Sequence, residues 1–173
     1  MNNEELSAQL SALRSGDINA FEKIYTELKT PVYIIIVRIT GDNGLAEDIL
    51  QEVFIKLYHS PPADDVHNPR AYICKMARNF AIDGLRKLKV NASLDELEDT
   101  VQAPEHDFEF RMDAEAAMRQ LPATQRQIVS LRINCGLKFR EIADITEEPL
   151  GTVLYHYQAA VSKLRKYLSG GAL

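Results

Sequence analysis

The amino-acid sequence predicts an all-α fold of two small helical domains joined by an acidic linker. Three observations carry this. Apolar residues recur at three- and four-residue spacing along most of the chain, the mark of one buried face per helix. Glycine is scarce, at 8 of 173 residues. The β-branched run PVYIIIVRI at 31–39 has no second strand to pair with, and a lone strand would leave its backbone groups unbonded. The boundaries are read as 1–90, 91–107 for the linker and 108–173.

In the first domain, Leu6, Leu10 and Leu13 define one helix, which Gly16 stops. Phe21, Ile24, Tyr25 and Leu28 define a second. Residues 31–39 predict a separate buried helix with Pro31 in its first turn, where a missing N–H does no harm. LAEDILQEVFIKLYHS at 45–60 follows. Leu45, Ile49 and Val53, with Leu50 and Leu57 beside them, make its apolar face. Glu47, Asp48, Gln51 and Glu52 make a polar, acidic outer face, which suits either solvent or a basic partner. PPADDVHNP at 61–69 is a loop, because two prolines and an Asn-Pro pair forbid a continuous helix. RAYICKMARNFAIDGLRKLK at 70–89 resumes the helix. Tyr72, Met76, Phe80 and Leu85 are read to one side of it. Arg70, Lys75, Arg78, Asn79, Arg86 and Lys87 are read to the other.

Residues 91–110 are acidic, poor in apolar periodicity and broken by Pro104, as a linker is. Beyond them Leu121-Pro122 marks a helix start, and Gly136 ends that helix. KFREIADIT at 138–146 is a two-turn helix with Phe139, Ile142 and Ala143 inward. EEP makes a turn. A last helix places Val153, Tyr157, Ala160, Leu164 and Leu168 on one face. A short helix, a tight turn and a longer helix in this order form a helix-turn-helix, whose second helix reads DNA. The second domain, whose helical part begins near Phe108, is expected to be a helix-turn-helix DNA-binding unit, winged-helix-like and of four helices.

Charge is distributed in blocks. The net charge is −5. Residues 1–69 hold 5 basic and 11 acidic residues, whereas 70–90 hold 6 basic and one acidic. Residues 91–118 hold one basic and 9 acidic, and 119–173 hold 8 basic and 4 acidic. A nucleic-acid footprint is local, so two basic blocks within an acidic total are compatible with DNA binding. Solvated faces are the ordinary alternative.

Several function classes fall away. The polar, acidic start MNNEELSAQL is not a signal peptide. The run 31–39 carries Arg38 and falls short of the roughly 20 residues that cross a bilayer, so no membrane insertion is expected. Cys74 and Cys135 do not make a disulfide framework and suit packing in a reducing cytoplasm. No glycine-rich phosphate loop, nucleophile elbow or metal motif is present, so neither an enzyme nor a cofactor is expected. His59, Asp64, Asp65 and His67 match no metal-ligand spacing and are read as polar surface.

Taken together, AEDILQEVFIKLY, NPRAYICKMARNFAIDGLRK and LPATQRQIVSLRINCGLKFREIADI…PLGTV…KLRKYL resemble bacterial RNA polymerase sigma factors of the extracytoplasmic-function type. The likeness runs from about residue 5 to 168, the linker apart. It implies a transcription initiation factor that binds core RNA polymerase and directs it to promoters through −10 and −35 elements. Its implied protein contacts are the β′ clamp helices, the β flap and an anti-sigma factor. Glu47, Asp48, Gln51, Glu52 and Lys56 match the polymerase-binding helix. Arg70, Tyr72, Lys75, Arg78, Asn79, Arg86 and Lys87 match the −10 segment, Tyr72 either stacking on a base or packing in the core. The loop 59–70 matches the element that receives a flipped-out base. Arg140, Thr152, Leu154, Tyr155, His156, Gln158 and Lys163 match the −35 surface. The linker matches a segment that threads polymerase channels, or it is a plain spacer.

The second domain departs from the family pattern. No Lys or Arg stands between 152 and 162. Lys138 replaces a serine cap, Glu147 takes the place of a turn glycine and Glu148 takes an apolar position. Gln158 can still bond adenine and Leu154 can touch a thymine methyl. The expectation is weak binding of an A/T-biased −35 element, helped by tethering to polymerase. The alternative is a sigma-like adaptor or helix-turn-helix regulator acting through protein contacts, with Leu154, Tyr155 and Tyr157 as a protein-binding face.

Overall fold

A computed structural model describes residues 1–92 and 112–169 of the chain. Among the described residues there are eight helices and no strand. The chain divides into two compact units, Met1–Gln102 and Ala103–Leu173. The linker expected at 91–107 lies outside the described residues except for its first two positions, which continue a helix. The expected domain start at 108 also lies outside them.

The first unit packs α1 (Asn3–Arg14), α2 (Ile18–Thr40), α3 (Asn43–His59) and α4 (Pro69–Ala92). Each start is capped by a side chain. The Glu5 N–H donates to the Asn2 side chain at 2.8 Å and the Glu5 carboxylate accepts from the Asn2 N–H at 2.9 Å, a reciprocal capping box. Asp17 accepts from Asn19 N–H, Asp42 from Leu45 N–H and Asn68 from Ala71 N–H. Gly41, at φ 69°, ends α2 in the left-handed conformation that turns the chain into α3.

Two expectations change here. Residues 18–40 form a single helix of 23 residues that runs straight through Pro31, not two helices. An internal proline costs about 3 kcal/mol. Ala20, Ile24, Leu28, Val32, Ile35 and Ile36 are all buried along one face on both sides of it. Each large aliphatic contributes about 1.5–3 kcal/mol, so continuous burial outweighs the break. On α4 the buried stripe is Ile73, Ala77 and Ala81, with Cys74 beside it, whereas Tyr72 is exposed. Met76 and Phe80 pack only at the margin of the core. The small alanines let α4 approach its neighbours, so the close-packed side is the one with the smaller residues.

The second unit packs α5 (Met112–Arg119), α6 (Ala123–Ile133), α7 (Phe139–Thr146) and α8 (Leu150–Leu168). Ile128, Leu131, Leu137, Ile142, Ile145, Val153 and Ala160 are buried in it. The Phe139 ring of α7 meets Tyr157 of α8 edge-on at 4.9 Å between centroids. The Arg132 guanidinium of α6 lies 4.9 Å from the centre of the same Phe139 ring and also donates to the Leu137 carbonyl at 2.8 Å. One aromatic side chain therefore ties α6 to both helices of the helix-turn-helix, α7 and α8. Leu168, expected on the apolar face of α8, is exposed instead.

Candidate nucleic-acid and protein interfaces

α3 presents two clean faces. Ala46, Ile49, Val53, Phe54 and Leu57 are buried, while Glu47, Asp48, Gln51, Glu52 and Lys56 are all exposed. At 3.6 residues per turn, Asp48, Gln51 and Glu52 share one side. Ile55 continues that stripe and is 57% exposed, an apolar side chain set into an acidic face. Sequence reading passed over it, although its spacing from Gln51 and Glu52 placed it there. The stripe ends at Tyr58, whose ring meets Phe21 at 5.2 Å, beside a Tyr25–Phe54 contact at 4.8 Å. At the other end of α3, burial raises the Tyr33 pKa, helped by the Glu47 and Asp42 carboxylates.

On α4, Tyr72, Lys75, Asn79 and Arg86 are exposed. Their spacing puts them within one narrow sector of the helix. Tyr72 thus belongs to the polar face and not to the core. Lys87 is exposed beside them, and Arg78 is half-buried. Asp83 falls on the same sector and pairs with Arg86 at 3.6 Å. Arg70 does not join this group. Two residues before Tyr72, it points to the far side of the helix. There it donates to the Met1 carbonyl and lies 3.9 Å from the Glu27 carboxylate.

The loop between α3 and α4 is held at both ends. Pro62 and Pro69 are buried, and Ala63, Asp64, Asp65 and His67 are exposed. Arg14, at the last turn of α1, donates to the Pro62 carbonyl and to the Asp64 carboxylate. Nothing in the sequence signals this contact, since 48 and 50 residues separate the partners. Among the described residues no group of three or more His, Cys, Asp or Glu is placed to hold a metal ion. No helix among them is long and apolar enough to cross a membrane.

In the second unit, Arg140, Thr152, Tyr155 and Gln158 are exposed. Tyr155 is the most open of them, at 68%. Leu154, His156 and Lys163 are half-buried, so the outward face of α8 is narrower than expected. The His156 ring lies against Tyr155 with centroids 5.6 Å apart. Residues 150–162 carry no charged side chain, and exposed cations begin at Arg165 and Lys166. Glu147, which ends α7, sits at φ 60°, the left-handed region that favours glycine.

Two stretches of the chain match known families. Residues 24–91 match the model of sigma-70 region 2, and residues 111–164 match that of sigma-70 region 4. The chain is 28% identical over 152 residues to the ECF RNA polymerase sigma factor SigM of Bacillus subtilis, covering 83% of this chain and 93% of that protein. It is 27% identical over 184 residues to SigW of the same organism, covering 94% and 96%. It is 25% identical over 176 residues to SigK of Mycobacterium ulcerans, covering 95% and 94%. The fold is similar to the Bartonella quintana sigma factor RpoE, solved in complex with the anti-sigma factor NepR. That likeness has a TM-score of 0.75 at 18% identity and covers 88% of this chain and 98% of that one. CnrH, solved with the cytosolic domain of CnrY, gives a TM-score of 0.63 at 15% identity, covering 97% and 99%. With a region 2 helical unit followed by a region 4 helix-turn-helix, the chain belongs to the sigma-70 family, as an RNA polymerase sigma factor of the extracytoplasmic-function type.

Proposed function

We propose that this sigma factor divides its work between two faces of its first unit. The outer face of α3, with Glu47, Asp48, Gln51, Glu52 and Lys56, docks on the β′ clamp helices of RNA polymerase. Carboxylates and an amide on a rigid helix suit an arginine-bearing partner through charge-assisted hydrogen bonds. The outward sector of α4 follows the separating strands of the −10 element. Lys75, Arg86 and Lys87 meet phosphates, Asn79 bonds a base edge and Tyr72 offers an open ring for stacking. The loop 59–70 receives an unpaired base. Arg70, held by the Met1 carbonyl beside Glu27, acts by fixing the start of α4, and half-buried Arg78 supports the same helix. The protein works in the cytoplasm, and the β flap and an anti-sigma factor complete its partners.

One observation carries this reading: Asp48, Gln51 and Glu52 share one exposed sector of α3, while Tyr72, Lys75, Asn79 and Arg86 share one of α4. Core pull-down and run-off transcription test it. Asp48→Ala should lose both, whereas Asn79→Ala should keep the pull-down and lose the transcript. Core binding unaffected by changes along α3 would refute it.

A second reading concerns the −35 element. The uncharged first turns of α8 favour weak recognition through Tyr155, Gln158, Thr152 and Leu154, with His156 packed behind and Arg140 and Lys163 at the edges. On this reading the full chain binds a duplex carrying only the −35 element weakly and with shallow salt dependence. Tight binding that falls steeply with salt would count against it. Core pull-down without any promoter activity would favour the adaptor.

A further inference from the structure

The geometry points to Arg14 as a positioning residue for −10 recognition. It sits on α1, outside both the α4 face and the loop matched to base capture. Its guanidinium spans from α1 to the α3–α4 loop and grips it twice, at the Pro62 carbonyl and at the Asp64 carboxylate. A planar fork with two bonds fixes direction as well as distance, which a single charge does not. Pro62 is buried and Asn68 caps α4, so the stretch between them is anchored at each end. Ala63 and Asp65 are left exposed at the apex.

The same contact answers an electrostatic difficulty. Asp64 and Asp65 stand in a loop that must come close to DNA, where two free carboxylates would repel phosphates. With Arg14 against Asp64, one of the two is neutralised locally. Arg14 thereby sets the shape of the loop and halves the anionic charge it presents. Selection of one base by a pocket depends on both, because a misplaced wall no longer separates the right base from the wrong one. This rests on the proposed role of the loop in receiving a −10 base.

The test uses the full chain with core RNA polymerase on a template library whose −10 element is randomised. Run-off transcripts are sequenced, and core affinity is measured alongside. Arg14→Ala should keep core affinity and flatten the preference at a single −10 position by about tenfold, the scale of losing hydrogen bonds to a charged group. Arg14→Lys keeps the charge without the fork and should fall between. Asp64→Asn removes the charged partner at a largely exposed site, so it folds whatever Arg14→Ala does, and should weaken preference at the same position. A wild-type profile in Arg14→Ala and Asp64→Asn, with an altered one in Asp65→Ala/His67→Ala, overturns the inference and leaves the loop's role standing. An unaltered profile in the loop variant as well removes both. An even loss across all positions, with weaker core binding, would mean that Arg14 serves folding alone.

Discussion

Gly84 of α4 lies directly over Ile49 of α3: a Cβ at Gly84 would fall 2.7 Å from the Ile49 Cδ1 atom. Ile49 is buried, so its tip has little room to yield. Replacing a helical glycine by alanine ordinarily gains about 1 kcal/mol. Overpacking costs about 1–3 kcal/mol. Gly84→Ala should therefore destabilise the first unit by about 1 kcal/mol net, read by urea unfolding. In an Ile49→Val background, which lacks the clashing methyl, the same change should stabilise. Equal effects in the two backgrounds would contradict the contact.

Glu147 holds a left-handed conformation at the end of α7. A side chain there costs about 1 kcal/mol relative to glycine. Glu147→Gly should stabilise the second unit by about that amount in denaturant unfolding. Glu147→Gln keeps the conformation and drops the charge, so it should leave stability unchanged. Both changes should strengthen binding to a −35 duplex, since each removes a carboxylate from the turn before α8.

Lys138 has the extended backbone of a helix cap but makes no side-chain capping bond. Half of a capping box is already built, because the Glu141 carboxylate accepts from the Lys138 N–H at 2.7 Å. Lys138→Ser should complete it and add about 1 kcal/mol. Thermal unfolding of Lys138→Ser and Lys138→Ala side by side checks this, as alanine should give no such gain.

Ile55 projects from the acidic face of α3 with most of its surface in water. An exposed branched apolar group amid charges suits the desolvated centre of an interface. Ile55→Ala should lower affinity for core polymerase about fivefold, within the range of interface truncations. Its own stability should change by less than about 0.5 kcal/mol, as for other exposed positions. Unchanged affinity would confine docking to the charged residues.

Much of this was legible in the sequence, and the failures have physical causes. The divided faces of α3 could be read because its apolar residues lie on one side and its acids on the other. Glu147 could be flagged because the helix-turn-helix needs a residue at positive φ there. On α4, two apolar stripes run one residue apart, Tyr72–Met76–Phe80 and Ile73–Ala77–Ala81, only about 100° from each other. Side-chain size favoured the first, whereas close helix packing selected the second. At Pro31 a local rule predicted a break that burial along the whole of α2 overrides. Arg14 left no trace, because its partners lie a whole helical hairpin away and periodicity reports only neighbours within a few turns.

The neutral opening of α8 bears on how the molecule spends its time before it meets polymerase. A chromosome offers on the order of a million or more decoy sites, and proteins linger on them through cations that displace counterions. A recognition helix lacking those cations for three turns gains little from random duplex. If α8 enters DNA as proposed, the non-specific hold of the free subunit on duplex rests on exposed cations elsewhere, Lys75, Arg86 and Lys87 of α4 among them.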